Sequence, residues 1–234
     1  MRLSRFLALA GAASRRSAED LICAGRVRVG GKVVLDPATG VEETSDITLD
    51  GAPLEIARAR TYIIYHKPAG VITTLAKSRE PGLSLPEALP DLPERLFPVG
   101  RLDRETTGLL ILTDDGDLAF RLIHPRHEVE KEYLVRLNRP LGSRDFERIR
   151  KGIIIDERKV EVSALLPAPG GRCRVVIHEG RKHIVRRLFR ELKLTVVELK
   201  RTRIGPVALG RLGVGRWRKL TPGEVQRLKQ TAGL

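Results

Sequence analysis

The spacing of hydrophobic positions changes several times along the chain, and each change marks an element. Residues 3–10 and 15–23 carry apolar side chains at helical spacing, which predicts two short helices. Ser14 is placed to cap the second, with Ser17, Glu19 and Asp20 in or near its first turn, and Ala24-Gly25 ends it. From Arg26 to Val34 charged and apolar residues alternate across Gly30-Gly31, the pattern of a hairpin. Residues 61–65 read as a buried strand. Residues 109–112 read as another, too short for a helix and bounded by turn residues. Asp114-Asp115-Gly116 then turns the chain into a short helix that stops near His124-Pro125, because proline cannot continue it.

The second half follows the same grammar. Residues 131–137 alternate as a strand with Tyr133, Val135 and Leu137 on one side. A helix over 143–150 is closed by Gly152, and a strand covers 153–156. Residues 168–171 are a turn, and 173–178 a further strand. Ile184, Val185, Leu188, Phe189 and Leu192 share one helical face. Two or three strands fall in 195–217. Thr221, Pro222 and Glu224 form a capping box for a last helix.

This mixture predicts an α+β protein in two parts. A small helix-helix-hairpin domain covers residues 1–50, and a linker covers 51–60, chiefly from Leu54 onward. A larger domain over 61–234 has a mixed, largely antiparallel sheet flanked by helices. Residues 76–98, rich in proline, leucine and charge, read as a long irregular connection.

Composition narrows the class. No apolar run approaches the roughly 18 residues of a membrane span. The apolar patch near the N-terminus is followed by Arg15, Arg16, Glu19 and Asp20 at helical spacing, so it reads as mature structure and not a leader. Cys23 and Cys173 are the two cysteines, read as small apolar residues of a reduced cytoplasmic protein. The five histidines make no ligand-spaced cluster, and no metal is expected. The net charge of +14 is unevenly spread. Residues 1–32 hold seven Lys/Arg against two Asp/Glu, 33–171 hold nineteen against twenty-three, and 172–234 hold seventeen against four. Two separated basic regions suit a polyanion gripped at two places. A solvated basic surface is the alternative, weakened by a pI near 10.4.

Three groups could carry chemistry. Asp103 lies between Arg101 and Arg104, with Thr106, Thr107 and Gly108 behind it. Nearby cations keep a carboxylate ionised, and an ionised, positioned carboxylate can act as a nucleophile. On spacing alone, a surface ion pair with a neighbouring arginine is the simpler account of Asp103. Tyr133 can lay a flat ring against a base, or it can be a core tyrosine at a sheet edge. His183, Arg186 and Arg190 line the polar side of the helical segment and could follow a phosphate backbone, or form a solvated face. Arg2, Arg5, Arg15, Arg16, Arg26, Arg28 and Lys32 make the first domain a compact basic unit.

The run from Gly100 to Gly116, with Gly100-Arg101-Leu102-Asp103-Arg104 at its head, resembles the signature of the pseudouridine synthases that modify ribosomal RNA. Lys67-Pro68-Ala69-Gly70 after a strand resembles the start of such domains, and residues 1–50 resemble the S4 RNA-binding domain. The resemblance implies that Asp103 is the nucleophile and that Tyr133 stacks on the target uracil and helps in proton transfer. It implies that Arg186 is a cation paired with Asp103, and that Arg101 fills the place of the flipped base. Ile184 stands where many relatives carry Gln, so one polar contact is missing. No cofactor or metal is implied. The implied partner is ribosomal RNA. The segment from Glu128 to Tyr133 after His124-Pro125 points to the large-subunit 23S RNA, with small-subunit 16S RNA the near alternative. A cytoplasmic monomer is expected. A non-catalytic S4-type assembly protein is the second reading. It accounts for both basic regions but not for Asp103, Tyr133 and Arg186 in their separate motifs.

Overall fold

A computed structural model describes residues 1–56, 59–77, 81–92 and 96–234, in two compact units, Met1–Arg60 and Thr61–Leu234. In the first, helix α1 (Leu3–Leu9) packs on α2 (Arg15–Cys23). The Ser14 side chain accepts from the Ser17 amide and caps α2. Glu19 and Asp20 fall beyond the first turn, which holds no acid; Arg15 and Arg16 open it instead. The strands β1 (Val27–Val29), β2 (Lys32–Val33), β3 (Ile47–Leu49) and β4 (Ala52–Pro53) form an antiparallel sheet in the order β2-β1-β3-β4. Leu3, Phe6, Leu7, Ala18, Ile22 and Ile47 are buried between helices and sheet.

Two sequence expectations change here. Ala52–Pro53 pairs with β3, and Leu54 and Ile56 pack against the same core, so residues 52–56 of the expected linker belong to the first unit. Apolar alternation across Gly51 is too short to be read as a strand from sequence. Residues 57–58 of that linker lie outside the described residues. Cys23, expected in an apolar setting, is exposed at the end of α2; both cysteines are free.

The second unit is built on a mixed sheet. Its elements are β5 (Tyr62–Lys67), α3 (Leu85–Ala88), β6 (Phe97–Pro98), β7 (Thr107–Thr113), α4 (Gly116–Ile123), β8 (Lys131–Leu137) and α5 (Ser143–Lys151). Then follow the two-stranded β9 (Ile153–Ile155) and β10 (Arg158–Val160), with β11 (Val162–Ala168), β12 (Arg172–Ile177) and α6 (Ile184–Glu191). The chain finishes with β13 (Val196–Ile204), β14 (Val207–Ala208), β15 (Trp217–Lys219) and α7 (Pro222–Thr231). The strand order is β11-β12-β8-β13-β7-β5-β15, with β14 on β13 and β6 on β7. Among the described residues every strand pairing in this sheet is antiparallel except β13 with β7.

Alternation along the strands divides the core. Ile63, Tyr65, Leu110 and Leu112 join Val135, Val175, Leu188 and Phe189 on one face. Ile64, Leu109 and Ile111 join Leu118, Leu122 and Leu228 on the other. Helix α6 thus covers the first face, and α4 and α7 the second. The capping box of α7 forms as expected, with Thr221 and Glu224 exchanging bonds. The described parts of 76–98 carry more regular structure than proline content suggested. Ser84 and Glu87 cap α3, and Phe97–Pro98 pairs with β7. Residues 78–80 and 93–95 of that connection lie outside the described residues.

Candidate active site

The loop before β7 carries Asp103, and its backbone is clamped on both sides. The Thr73 hydroxyl donates to the Leu102 carbonyl at 2.8 Å and accepts from the Leu102 amide at 3.2 Å. On the other side the Gly70 amide and the Lys67 ammonium both donate to the Arg104 carbonyl, at 2.9 and 3.2 Å. The Thr106 amide closes a turn onto the Asp103 carbonyl at 3.0 Å. Asp103 is therefore held by its neighbours' peptide groups, while its carboxylate, 36 % exposed, stays open. Fixing the backbone and freeing the side chain is how a site is preorganised.

Lys67 does this work from inside. It is fully buried, and its ammonium donates to the carbonyls of Pro68, Val71 and Arg104. Burial holds its pKa down to about 8, against the attraction of Asp103 and Glu105. Lys131, buried on β8, is likewise pushed down to about 8 by burial and then by Arg201. Both lysines bind fewer protons when folded than when unfolded between about pH 8 and pH 10.5, so folding gains stability as pH rises through that window. Cys173, raised to about 11 by burial, and Tyr65, also raised by burial, act oppositely once their unfolded forms ionise above about pH 9. Thermal stability is expected to rise between about pH 8 and pH 9, on the order of 1 kcal/mol for each lysine. Melting curves across that range check it, and Lys67→Met should flatten the rise.

The site residues come together in a different pairing from the one expected. Asp103 Oδ1 lies 3.2 Å from His183 Nε2. Arg186 instead donates to the Val196 carbonyl at 3.1 Å. The expected Asp103–Arg186 ion pair is thus absent, and helix geometry explains it. Helix α6 starts at Ile184, and His183, in the left-handed region at φ 56°, precedes its first turn and faces the Asp103 loop. Arg186 lies further into the helix and engages the start of β13. Nor does Arg104 pair with Asp103: its guanidinium binds Glu105 and the Pro81 carbonyl. Arg101 is exposed.

Tyr133 is 8 % exposed and stands in the core cluster that also holds Leu102 and Ile184, the neighbours of Asp103 and His183. Three motifs far apart in sequence thus contribute to one core cluster. Ile184 is buried there, an apolar contact where a glutamine would be polar. The segment before α6 is braced by Arg181, which pairs with Glu179 and donates to the Ile155 carbonyl at 2.5 Å. Arg190 is exposed on α6. In the first unit Arg2, Arg15, Arg16, Arg28 and Lys32 are exposed, and Arg5 is half-buried. Arg26 is exposed but paired with Asp50 at 2.5 Å, which offsets its charge. Among the described residues no cluster of His, Cys, Asp or Glu could hold a metal ion.

Sequence reasoning singled out the Lys67-Pro68-Ala69-Gly70 turn but not the role of Lys67, since a lysine after a strand ordinarily reaches solvent. It also passed over Arg201, one of three cations among Lys200, Arg201 and Arg203. The structure buries Arg201 at 3 % exposure, with Nε donating to the Leu109 carbonyl at 2.8 Å.

Comparison with known proteins shows the family. Residues 61–191 match the family model for RNA pseudouridylate synthases, and residues 1–47 match that of the S4 domain. An uncharacterized RNA pseudouridine synthase of Aquifex aeolicus (strain VF5) is 41% identical over 239 residues, covering 100% of this chain and 96% of the relative. Ribosomal large subunit pseudouridine synthase B of Bacillus subtilis (strain 168) is 35% identical, covering 99% of this chain and 96% of the relative. A crystal structure of a pseudouridylate synthase superposes with a TM-score of 0.70 at 30% identity, over 97% of this chain and 99% of that one. Family models over both units and relatives matched nearly end to end place this chain in the RNA pseudouridine synthase family, as an enzyme with an S4 domain ahead of its catalytic domain.

Proposed function

We propose that the chain isomerises one specific uridine of large-subunit ribosomal RNA, with Asp103 as the nucleophile. The observation that carries this reading is the clamped Asp103 loop, open at its carboxylate and adjoining the cluster that holds Tyr133. The target base must leave its stack, at a cost of a few kcal/mol that is smaller in loops and bulges. Arg101, exposed on the same loop, takes the vacated place. Asp103 attacks, and the Tyr133 ring lies against the uracil and helps in proton transfer. Arg186 turns from the Val196 carbonyl to Asp103, exchanging a bond to a neutral oxygen for a charge-assisted one. The N1–C1′ bond breaks and a C5–C1′ bond forms. C5 gives up a proton and N1 takes one, so the reaction is redox-neutral. The large-subunit target is supported by the name of the Bacillus relative. The chain works as a monomer in the cytoplasm.

The test is direct. Purified protein is incubated with large- and small-subunit ribosomal RNA, and pseudouridine is mapped chemically. One new site in the large-subunit RNA alone is expected. A site in the small-subunit RNA corrects the substrate; binding without any new site leaves only an RNA-holding protein.

The first unit supplies grip through Arg2, Arg5, Arg15, Arg16, Arg28 and Lys32, with His183 and Arg190 contributing from the catalytic unit. Two arginines in the first turn of α2 oppose the helix dipole, an arrangement that a bound phosphate would relieve. Replacing Arg15 and Arg16 together by Ala is expected to weaken RNA binding and lower the slope of log K against log salt by about 1.5. Salt titrations check it, and an unchanged slope removes these residues from the interface.

A further inference from the structure

Arg201 carries a charge that the fold itself does not use. Its Nη2 is buried and has no hydrogen-bond partner among the described residues. Its ion-pair partner is equally missing there: the neighbouring buried charges that it acts on, Lys67 and Lys131, are also positive. A buried guanidinium without a carboxylate is costly, and its structural task, the Nε bond to Leu109 that ties β13 to β7, leaves Nη2 unused. A buried N–H of this kind needs an explanation outside the resting protein.

Strand register says where it stands. Lys67 pairs with Gly108, Gly108 with Arg201, Arg201 with Tyr133, and Tyr133 with Val175, one row across five strands. Directly paired residues point to the same face of a sheet. That face carries Tyr65, Val135 and Val175, the cluster that Leu102 and Tyr133 share. Arg201 is therefore the direct cross-strand partner of Tyr133, the residue assigned to the uracil, and its other partner, Gly108, lies five residues along the chain from Asp103. A second orphan, the buried Thr106 hydroxyl, lies in that loop.

We propose that Arg201 is a catalytic residue whose free Nη2–H donates to a carbonyl oxygen of the pyrimidine as negative charge collects there. The proposal rests on the reaction assigned above. When the N1–C1′ bond breaks, its electron pair goes to the base, and the charge spreads to the ring's carbonyl oxygens. If Asp103 adds to the base first, the charge gathers on a carbonyl oxygen as an enolate. On both routes Arg201 meets charge on oxygen and transfers no proton. A buried donor already in place is worth far more against developing charge than one in water. The positive surroundings of Lys67 and Lys131 favour the same charge.

The experiment uses the full chain and the RNA fragment bearing the mapped uridine, under single turnover with enzyme in excess. Arg201→Met removes the donor and the charge together; Arg201→Lys keeps the charge. For Met a fall of about 100- to 1,000-fold in rate is expected, with RNA affinity unchanged, and a smaller fall for Lys. The same RNA carrying 5-fluorouridine gives the readout that a structural role would not move. Fluorine withdraws electrons and stabilises the departing base, so the variant's deficit in C–N cleavage should shrink at least tenfold. Equal deficits on both substrates, or an Arg201→Met protein as fast as wild type, overturn the proposal. If Arg201→Met does not fold, the comparison of uridine with 5-fluorouridine is made with Arg201→Lys, where equal deficits or none count against it. A wild-type chain that forms no pseudouridine removes the reaction reading and this proposal together. An active wild type with an unimpaired variant removes this proposal alone.

Discussion

Asp103→Asn is expected to abolish pseudouridine formation, by about 10⁴-fold or more, while leaving RNA binding intact. The substitution keeps size and shape but replaces the carboxylate proposed as nucleophile with an amide. Little else should change, because the loop is held through the backbone of Leu102 and Arg104 and not through the Asp103 side chain. The contact with His183 is partly exposed, 36 % and 46 % on the two sides, and such pairs contribute little to stability. Melting temperature should therefore match wild type closely, with a change within about 0.5 kcal/mol. Chemical mapping of modified RNA reads the activity, and filter binding reads the affinity. A variant that converts the same uridine at the wild-type rate would move the nucleophile elsewhere. A variant that loses RNA binding as well would make Asp103 a structural residue.

The largest effect on stability is expected at Gly108. Its φ of +108° lies where side chains are strained, and a Cβ there would come within 2.2 Å of the Arg201 carbonyl oxygen and 2.6 Å of the Arg201 nitrogen. Those atoms are backbone in the adjoining strand and cannot swing aside. Gly108 sits at the parallel join of β7 and β13, which connects the two halves of the sheet. Strain and overpacking each cost about 1–3 kcal/mol, so Gly108→Ala should lose about 4 kcal/mol. For a chain of this size that lowers the melting temperature by roughly 10 °C. Gly116→Ala is the matched control. Nothing lies within 4 Å of its Cβ position, and it opens helix α4, so it should be neutral or slightly stabilising. Equal melting temperatures for the two variants would show that β13 can yield at Arg201.

Local rules carried most of the elements. Ser14, Thr221 and Glu224 announce helix starts because a cap needs only residues a turn apart. Alternation placed β8 and the face that Tyr133 shares with Val135 and Leu137. Amphipathic spacing placed the buried side of α6. The short β4 and the capped α3 were harder, because two- and four-residue elements carry too little periodicity to show.

The two-part α+β plan, the uneven positive charge and the motif around Asp103 are legible from the residues alone, because each rests on near neighbours or on composition. Which side chain faces Asp103 was settled by long-range packing. A helix beginning one residue after His183 brings that imidazole to the loop and sends Arg186 to Val196. Only the tertiary structure, too, buried Lys67 and Arg201, whose surroundings come from strands up to about a hundred positions away. Long-range strand pairing leaves no local mark on a lysine or an arginine, and in this fold it sets Lys67 against the Arg104 carbonyl and Arg201 against the Leu109 carbonyl.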